Sequence, residues 1–112
     1  MTFHMKHPRF KSQKLRESAK HPDATCANCD IGNGPDEIRL VLAHRNIPGE
    51  FGTGLKNDDY CAAILCSVPN AFSKTGCHGY FDGEGRNNAE EWERFQHRTW
   101  RFWFDYGFLK VV

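Results

Sequence analysis

The chain has 112 residues, 15 Lys and Arg against 14 Asp and Glu, and a net charge of +1, which bounds it to one domain and gives no overall basic bias toward nucleic acid. Its 5 cysteines are an odd number preceded by no apolar N-terminal stretch, which argues against a secreted disulfide framework and reads as a cytoplasmic protein. No apolar run approaches the roughly 20 residues of a bilayer span, so a membrane partner is not expected.

The first segment, 1–13, reads as a basic arm, and the stretch from Lys6 to Lys20 carries Lys6, Arg9, Lys11, Lys14, Arg16 and Lys20 against Glu17 alone. The domain proper then runs over 14–112. Lys14 to Lys20 suits a short helix that must stop near His21-Pro22, because the residue before a proline is pushed out of the helical region. A turn carries Cys26 and Cys29. After Ile31-Gly32-Asn33-Gly34-Pro35, the alternation of Ile38, Leu40 and Leu42 with Arg39, Val41 and Ala43 predicts a strand over Glu37 to Ala43, with His44 at its end. Arg45 to Asp58, with Pro48 and three glycines, reads as a loop. Tyr60 to Leu65 is a second short strand, Ser67 to Gly76 a second loop, and Cys77 to Asp82 a short helix ended by Gly83 and Gly85.

The last element is a helix over 88–106. Asn88 followed by Glu91 resembles a capping box, and Trp92, Phe95, Thr99, Phe102 and Tyr106 recur at helical spacing up to Gly107. A second aromatic set, Trp100, Trp103 and Phe104, widens the apolar stripe. It is read either as deep burial of this amphipathic helix or as the contact of a homodimer.

A small domain with long glycine-rich loops gains from a metal staple. Cys26-Ala27-Asn28-Cys29 has the spacing that lets two thiolates reach one ion, and Cys66 and Cys77 supply a second pair, so a structural zinc site made of four cysteines is expected. Such a site contributes on the order of 10 kcal/mol to folding. Cys61, inside an apolar run, is expected to be buried as a small hydrophobe and is left out of the site.

The pieces Leu15-Arg16 with Ala19-Lys20, Val41-Leu42-Ala43-His44-Arg45, Gly52-Thr53-Gly54-Leu55-Lys56, Asp58-Asp59 and Cys77-His78 with Asp82-Gly83 resemble the YbcO-like nucleases of lambdoid prophages. These are similar to the HNH superfamily, and the resemblance runs from about Lys14 to Gly107. It implies an α+β, ββα-metal domain in which a hairpin and a helix hold a catalytic cation, and a phage or prophage origin. It also implies that Asp59, or less readily Asp58, stands where the HNH pattern has its asparagine and fixes the tautomer of the base. Two departures are plain. Ala43 stands where many HNH enzymes have a metal-binding Asp or His, so the cation would depend on water and phosphate. Ten residues separate Cys66 from Cys77 where the family has two, which reads as a loop inserted into the knuckle.

The residues point to the same chemistry on their own. Phosphodiester hydrolysis needs a base for water and a cation to offset the charge that grows on phosphate. His44, at a strand end, is the base. His78 and Asp82, four apart on a helix, can share a Mg²⁺, Mn²⁺ or other divalent ion. Lys14, Arg16, Arg45, Lys56 and Arg86 are the expected phosphate contacts, with Arg94, Arg98 and Arg101 as further cations, positioning DNA without reading its sequence. The expectation is a metal-dependent DNA endonuclease. The alternative is a non-catalytic zinc-binding module that binds nucleic acid or protein.

Overall fold

The computed structural model describes residues 12–45, 61–71 and 73–109. In chain order the elements are α1 (Gln13–Ser18), β1 (Leu40–His44), β2 (Ala62–Cys66), α2 (Gly76–Asp82) and α3 (Ala89–Asp105). β1 and β2 form a two-stranded antiparallel sheet in which Leu40 faces Cys66 and His44 faces Ala62. The fold is therefore α+β, a hairpin followed by a helix, with α1 and α3 packed around it. Among the described residues no helix is long and apolar enough to cross a membrane.

α1 begins where Ser12 caps it, its hydroxyl accepting the amide of Leu15 at 3.2 Å. It ends at Ser18, before the Lys20 expected from sequence, and Ala19 and Lys20 form a turn in front of Pro22. The reason lies in what Ser18 does. Its hydroxyl bonds back to the carbonyl of Leu15 and accepts the indole Nε1 of Trp103 at 2.7 Å, a buried bond that fixes α1 to the end of α3. Lys14 Nζ donates to the carbonyl of Gly107 at 3.2 Å and lies over the Phe108 ring.

β1 starts three residues later than the alternation predicts, and Asn33 explains the shift. Its Oδ1 accepts the amides of Arg39 at 2.8 Å and Leu40 at 3.1 Å, while its Nδ2 donates to the carbonyl of Ala19 at 2.8 Å. Glu37 is held in a turn, its carbonyl accepting the Gly34 amide at 2.8 Å. One side chain thus joins the end of α1 to the start of β1 and takes up amides that a longer strand would have used.

β2 is buried at every position, Ala62 to Cys66, so it lacks the alternation of a half-buried strand. Its outer edge is covered: Ile64 N donates to Thr99 Oγ1 of α3 at 3.0 Å, and the Ile64 carbonyl accepts the amide of Ala27 at 2.8 Å. The core lies between this strand and the helices, with Leu40, Ala43, Ile64 and Leu65 against Phe81, Trp92 and Phe95.

α3 starts as expected, Asn88 Oδ1 accepting the amide of Glu91 at 3.2 Å. Its buried face is Trp92, Phe95, Thr99 and Trp103. Trp103 therefore replaces Tyr106 in the expected stripe: Tyr106 is 48% exposed, whereas Trp103 is fully buried under α1. The partly buried Phe102 packs edge-on to His21, with ring centroids 5.7 Å apart.

Gly76 opens α2 with φ +74°, and a Cβ there would lie 2.6 Å from the carbonyl oxygens of both Cys66 and Val68. Gly76→Ala is expected to cost about 2–3 kcal/mol or more, read as a drop in the thermal midpoint of the purified protein.

Candidate metal centre

Cys26 and Cys29 lie on a tight turn. The amide of Cys26 donates to the carbonyl of Ile31 at 2.8 Å and that of Asp30 to the carbonyl of Cys26 at 3.0 Å, while Thr25 and Gly32 bridge across it. Asp30 takes the left-handed conformation, φ 65°, that returns the chain after the second cysteine. Cys66 is the last residue of β2 and Cys77 lies in the first turn of α2. The four sulfurs all come within 4.8 Å of one another.

That spacing suits an ion. A tetrahedral centre with sulfur at about 2.3 Å separates its sulfurs by roughly 3.8 Å, and Sγ of Cys29 and Cys66 stand 3.7 Å apart. The donors around the sulfurs fit the same group. Asn28 Nδ2 lies 3.2 Å from Cys77 Sγ, Asn70 Nδ2 lies 3.3 Å from Cys66 Sγ and 3.4 Å from Cys77 Sγ, and the amide of Cys77 lies 3.5 Å from Cys66 Sγ. Four cysteines this close can bind a metal ion such as zinc, and N–H groups aimed at sulfur stabilise thiolate charge.

As thiols the four differ. Burial pushes Cys26 up to about 11, against the opposing amides of Cys29, Asn28 and Cys66. Burial likewise raises Cys66 and Cys77. At the exposed Cys29 burial also acts upward, but the amide of Ile31 and hydrogen bonds from the other three thiols outweigh it, and its thiol falls below the ordinary value. Cys61 is half-buried and stands outside the quartet.

The knuckle is braced from α3. Arg98 donates to the carbonyl of Ala27 at 2.7 Å and pairs with Asp30, and Arg94 donates to Asn28 Oδ1 at 3.2 Å and to Glu91. Arg101 lies 3.8 Å from Asp105. Arg94 and Arg98, expected as further phosphate contacts, thus hold the turn that carries Cys26 and Cys29. Sequence reasoning missed this, as it missed Asn28 and Asn70. An asparagine inside the two-residue spacer was the available signal for Asn28, whereas nothing local marked Asn70.

Of the other expected site residues, His44 ends β1 and lines a cleft of about 400 Å³ with Arg16, Ala19, Lys20, Leu40, Val41 and Leu42. Arg45 Nε donates to the carbonyl of Arg86 at 3.3 Å, which joins the end of β1 to the segment just after α2. His78 is half-buried and Asp82 exposed on α2. Among the described residues the cysteine quartet is the one group of three or more His, Cys, Asp or Glu donors close enough to share an ion, so no third such donor joins His78 and Asp82. Asp58, Asp59 and Lys56 lie outside the described residues.

Thiols are protonated at neutral pH and burial pushes Cys26, Cys66 and Cys77 further that way, so an ion such as zinc would have to displace their protons on binding. Apparent zinc affinity is expected to rise with pH from about 6 to 8, with roughly three to four protons released per ion. Competition with a chromophoric chelator across pH, and calorimetry in two buffers of different ionisation enthalpy, measure both quantities.

Comparison with known proteins leaves the chain to be read from its own residues: no family model matches it, and neither does a curated protein or a solved structure.

Proposed function

We propose that this protein is a metal-dependent endonuclease of the HNH kind that hydrolyses phosphodiester bonds in DNA, of phage or prophage type, with zinc in the cysteine quartet as its structural metal. The observation that carries this reading is the order of parts: an antiparallel hairpin with His44 at the end of its first strand, followed by a helix bearing His78 and Asp82. The Arg45 to Arg86 hydrogen bond supports it by drawing the strand end toward the end of that helix.

In this reading His44 accepts the proton of the attacking water, since a neutral imidazole is competent for that near pH 7. Arg16 and Lys20, which share its cleft, hold the phosphates on either side of the scissile bond, and their charge favours the DNA backbone irrespective of sequence. Arg45 and Arg86 extend the cationic rim, whereas Lys14 is committed to the end of α3. A divalent cation held by His78 and Asp82 would offset the charge that builds on the phosphate and the leaving oxygen. Two protein donors suffice only if water and substrate oxygens complete its coordination.

The second reading, a non-catalytic zinc module that binds nucleic acid or protein, is favoured by that same short donor set and by the commitment of Arg94 and Arg98 to the knuckle. Cleavage assays separate the two. Purified protein is expected to nick plasmid DNA with Mg²⁺, Mn²⁺, Ni²⁺ or Zn²⁺, and His44→Ala at equal zinc content to lose on the order of 10²- to 10⁴-fold in rate. Binding of DNA that weakens with salt, without cleavage under any of these ions, would instead establish the module.

A further inference from the structure

Four thiolates bring roughly twice the charge of the divalent ion they hold, so such a centre carries surplus negative charge on its sulfurs. N–H donors offset that surplus. Two side-chain amides stand beside the quartet, and in each the carbonyl oxygen is already committed. Asn70 Oδ1 accepts the amide of Ser73 at 2.8 Å, and Asn28 Oδ1 accepts Arg94 Nη2 at 3.2 Å. Reversing either amide would set oxygen against sulfur and NH₂ against a donor, so the NH₂ ends face the cysteines.

Asn70 has the wider reach. Its Nδ2 lies 3.3 Å from Cys66 Sγ, 3.4 Å from Cys77 Sγ and 3.7 Å from Cys29 Sγ. It sits in the segment between Cys66 and Cys77, which the sequence marks as a loop inserted into the knuckle. Its described residues are anchored: Asn70 N donates to the Ser73 carbonyl at 3.0 Å, and Val68 packs against the core. It carries its amide to the side of the quartet where Cys29 is exposed.

We propose that Asn70 is the lid of the metal centre, its side-chain amide donating to the thiolates, so that this one residue governs how long the ion is held. The proposal rests on the reading of the quartet as a site for a thiophilic divalent ion. Asn28, on the knuckle itself, is the lesser partner, directed at Cys77 alone among the described contacts.

Asn70→Asp tests the donor directly, because it keeps the side chain's size and an oxygen for the Ser73 amide while removing the NH₂. Asn70→Ala removes the whole amide, and Asn87→Asp, at an exposed position, controls for the added charge. Zinc release to a chromophoric chelator is timed for each, and Co²⁺ is loaded in place of zinc to record the sulfur-to-metal charge-transfer absorption. Release is expected to quicken by about 10- to 100-fold in both Asn70 variants. The charge-transfer band should move to lower energy in both, as sulfur lone pairs lose their donors, with Asn87→Asp matching wild type. Should Asn70→Asp fail to fold, the band position in Asn70→Ala decides, since a mere packing role would leave it unmoved. An unmoved band, or wild-type release from Asn70→Asp, overturns the proposal. If wild type itself binds neither zinc nor Co²⁺, the metal reading fails and the lid with it, an outcome distinct from unaltered release.

Discussion

Convergence of four sulfurs is the constraint on which the rest of this small domain depends. The knuckle at Cys26 and Cys29, the last residue of β2 and the first turn of α2 bring their sulfurs within 4.8 Å of one another. The sheet has only two strands of five residues each, too little to be stable alone. With Cys77 fixed to Cys66, the helix bearing His78 and Asp82 is held against the hairpin bearing His44. A metal in the quartet therefore acts at a distance on any chemistry those residues perform.

Polar side chains do much of the remaining positioning, and each joins two elements. Asn33 links α1 to β1, Thr99 links α3 to the outer edge of β2, Ser18 and Trp103 join the first helix to the last, and Arg98 joins the last helix to the knuckle. Buried polar groups that lose a partner cost about 1–3 kcal/mol each, so the two fully buried links, Thr99 to β2 and Ser18 to Trp103, do most to specify one arrangement. They also explain why β2 is buried throughout: its outer edge is satisfied by a threonine and a turn in place of a third strand.

The elements that arise from local chemistry were legible in the sequence. The Cys-x-x-Cys spacer, the Asn88 cap with its 3.6-residue aromatic repeat, and the proline after His21 all act over a few residues, and each marks what the structure contains there. The start of β1 was misplaced because the competing acceptor, Asn33, works through tertiary geometry that no alternation pattern encodes. Tyr106 fits the helical period as well as Trp103 does. What separates them is that α1 folds over Trp103, a long-range event. Asn70 was invisible for the same reason, since its neighbours in space are cysteines on three different segments.

The bracing of the knuckle has a consequence for when the site can be complete. Asn28, Ala27 and Asp30 take their partners from Arg94 and Arg98, which lie 66, 71 and 68 residues further along the chain. Ser18 waits 85 residues for Trp103. Contacts of such sequence separation are entropically late, because the intervening chain must first be closed into a loop. On the ribosome Cys26 and Cys29 emerge long before the helix that secures their turn, so the knuckle stays unbraced until the C-terminal part of the chain arrives.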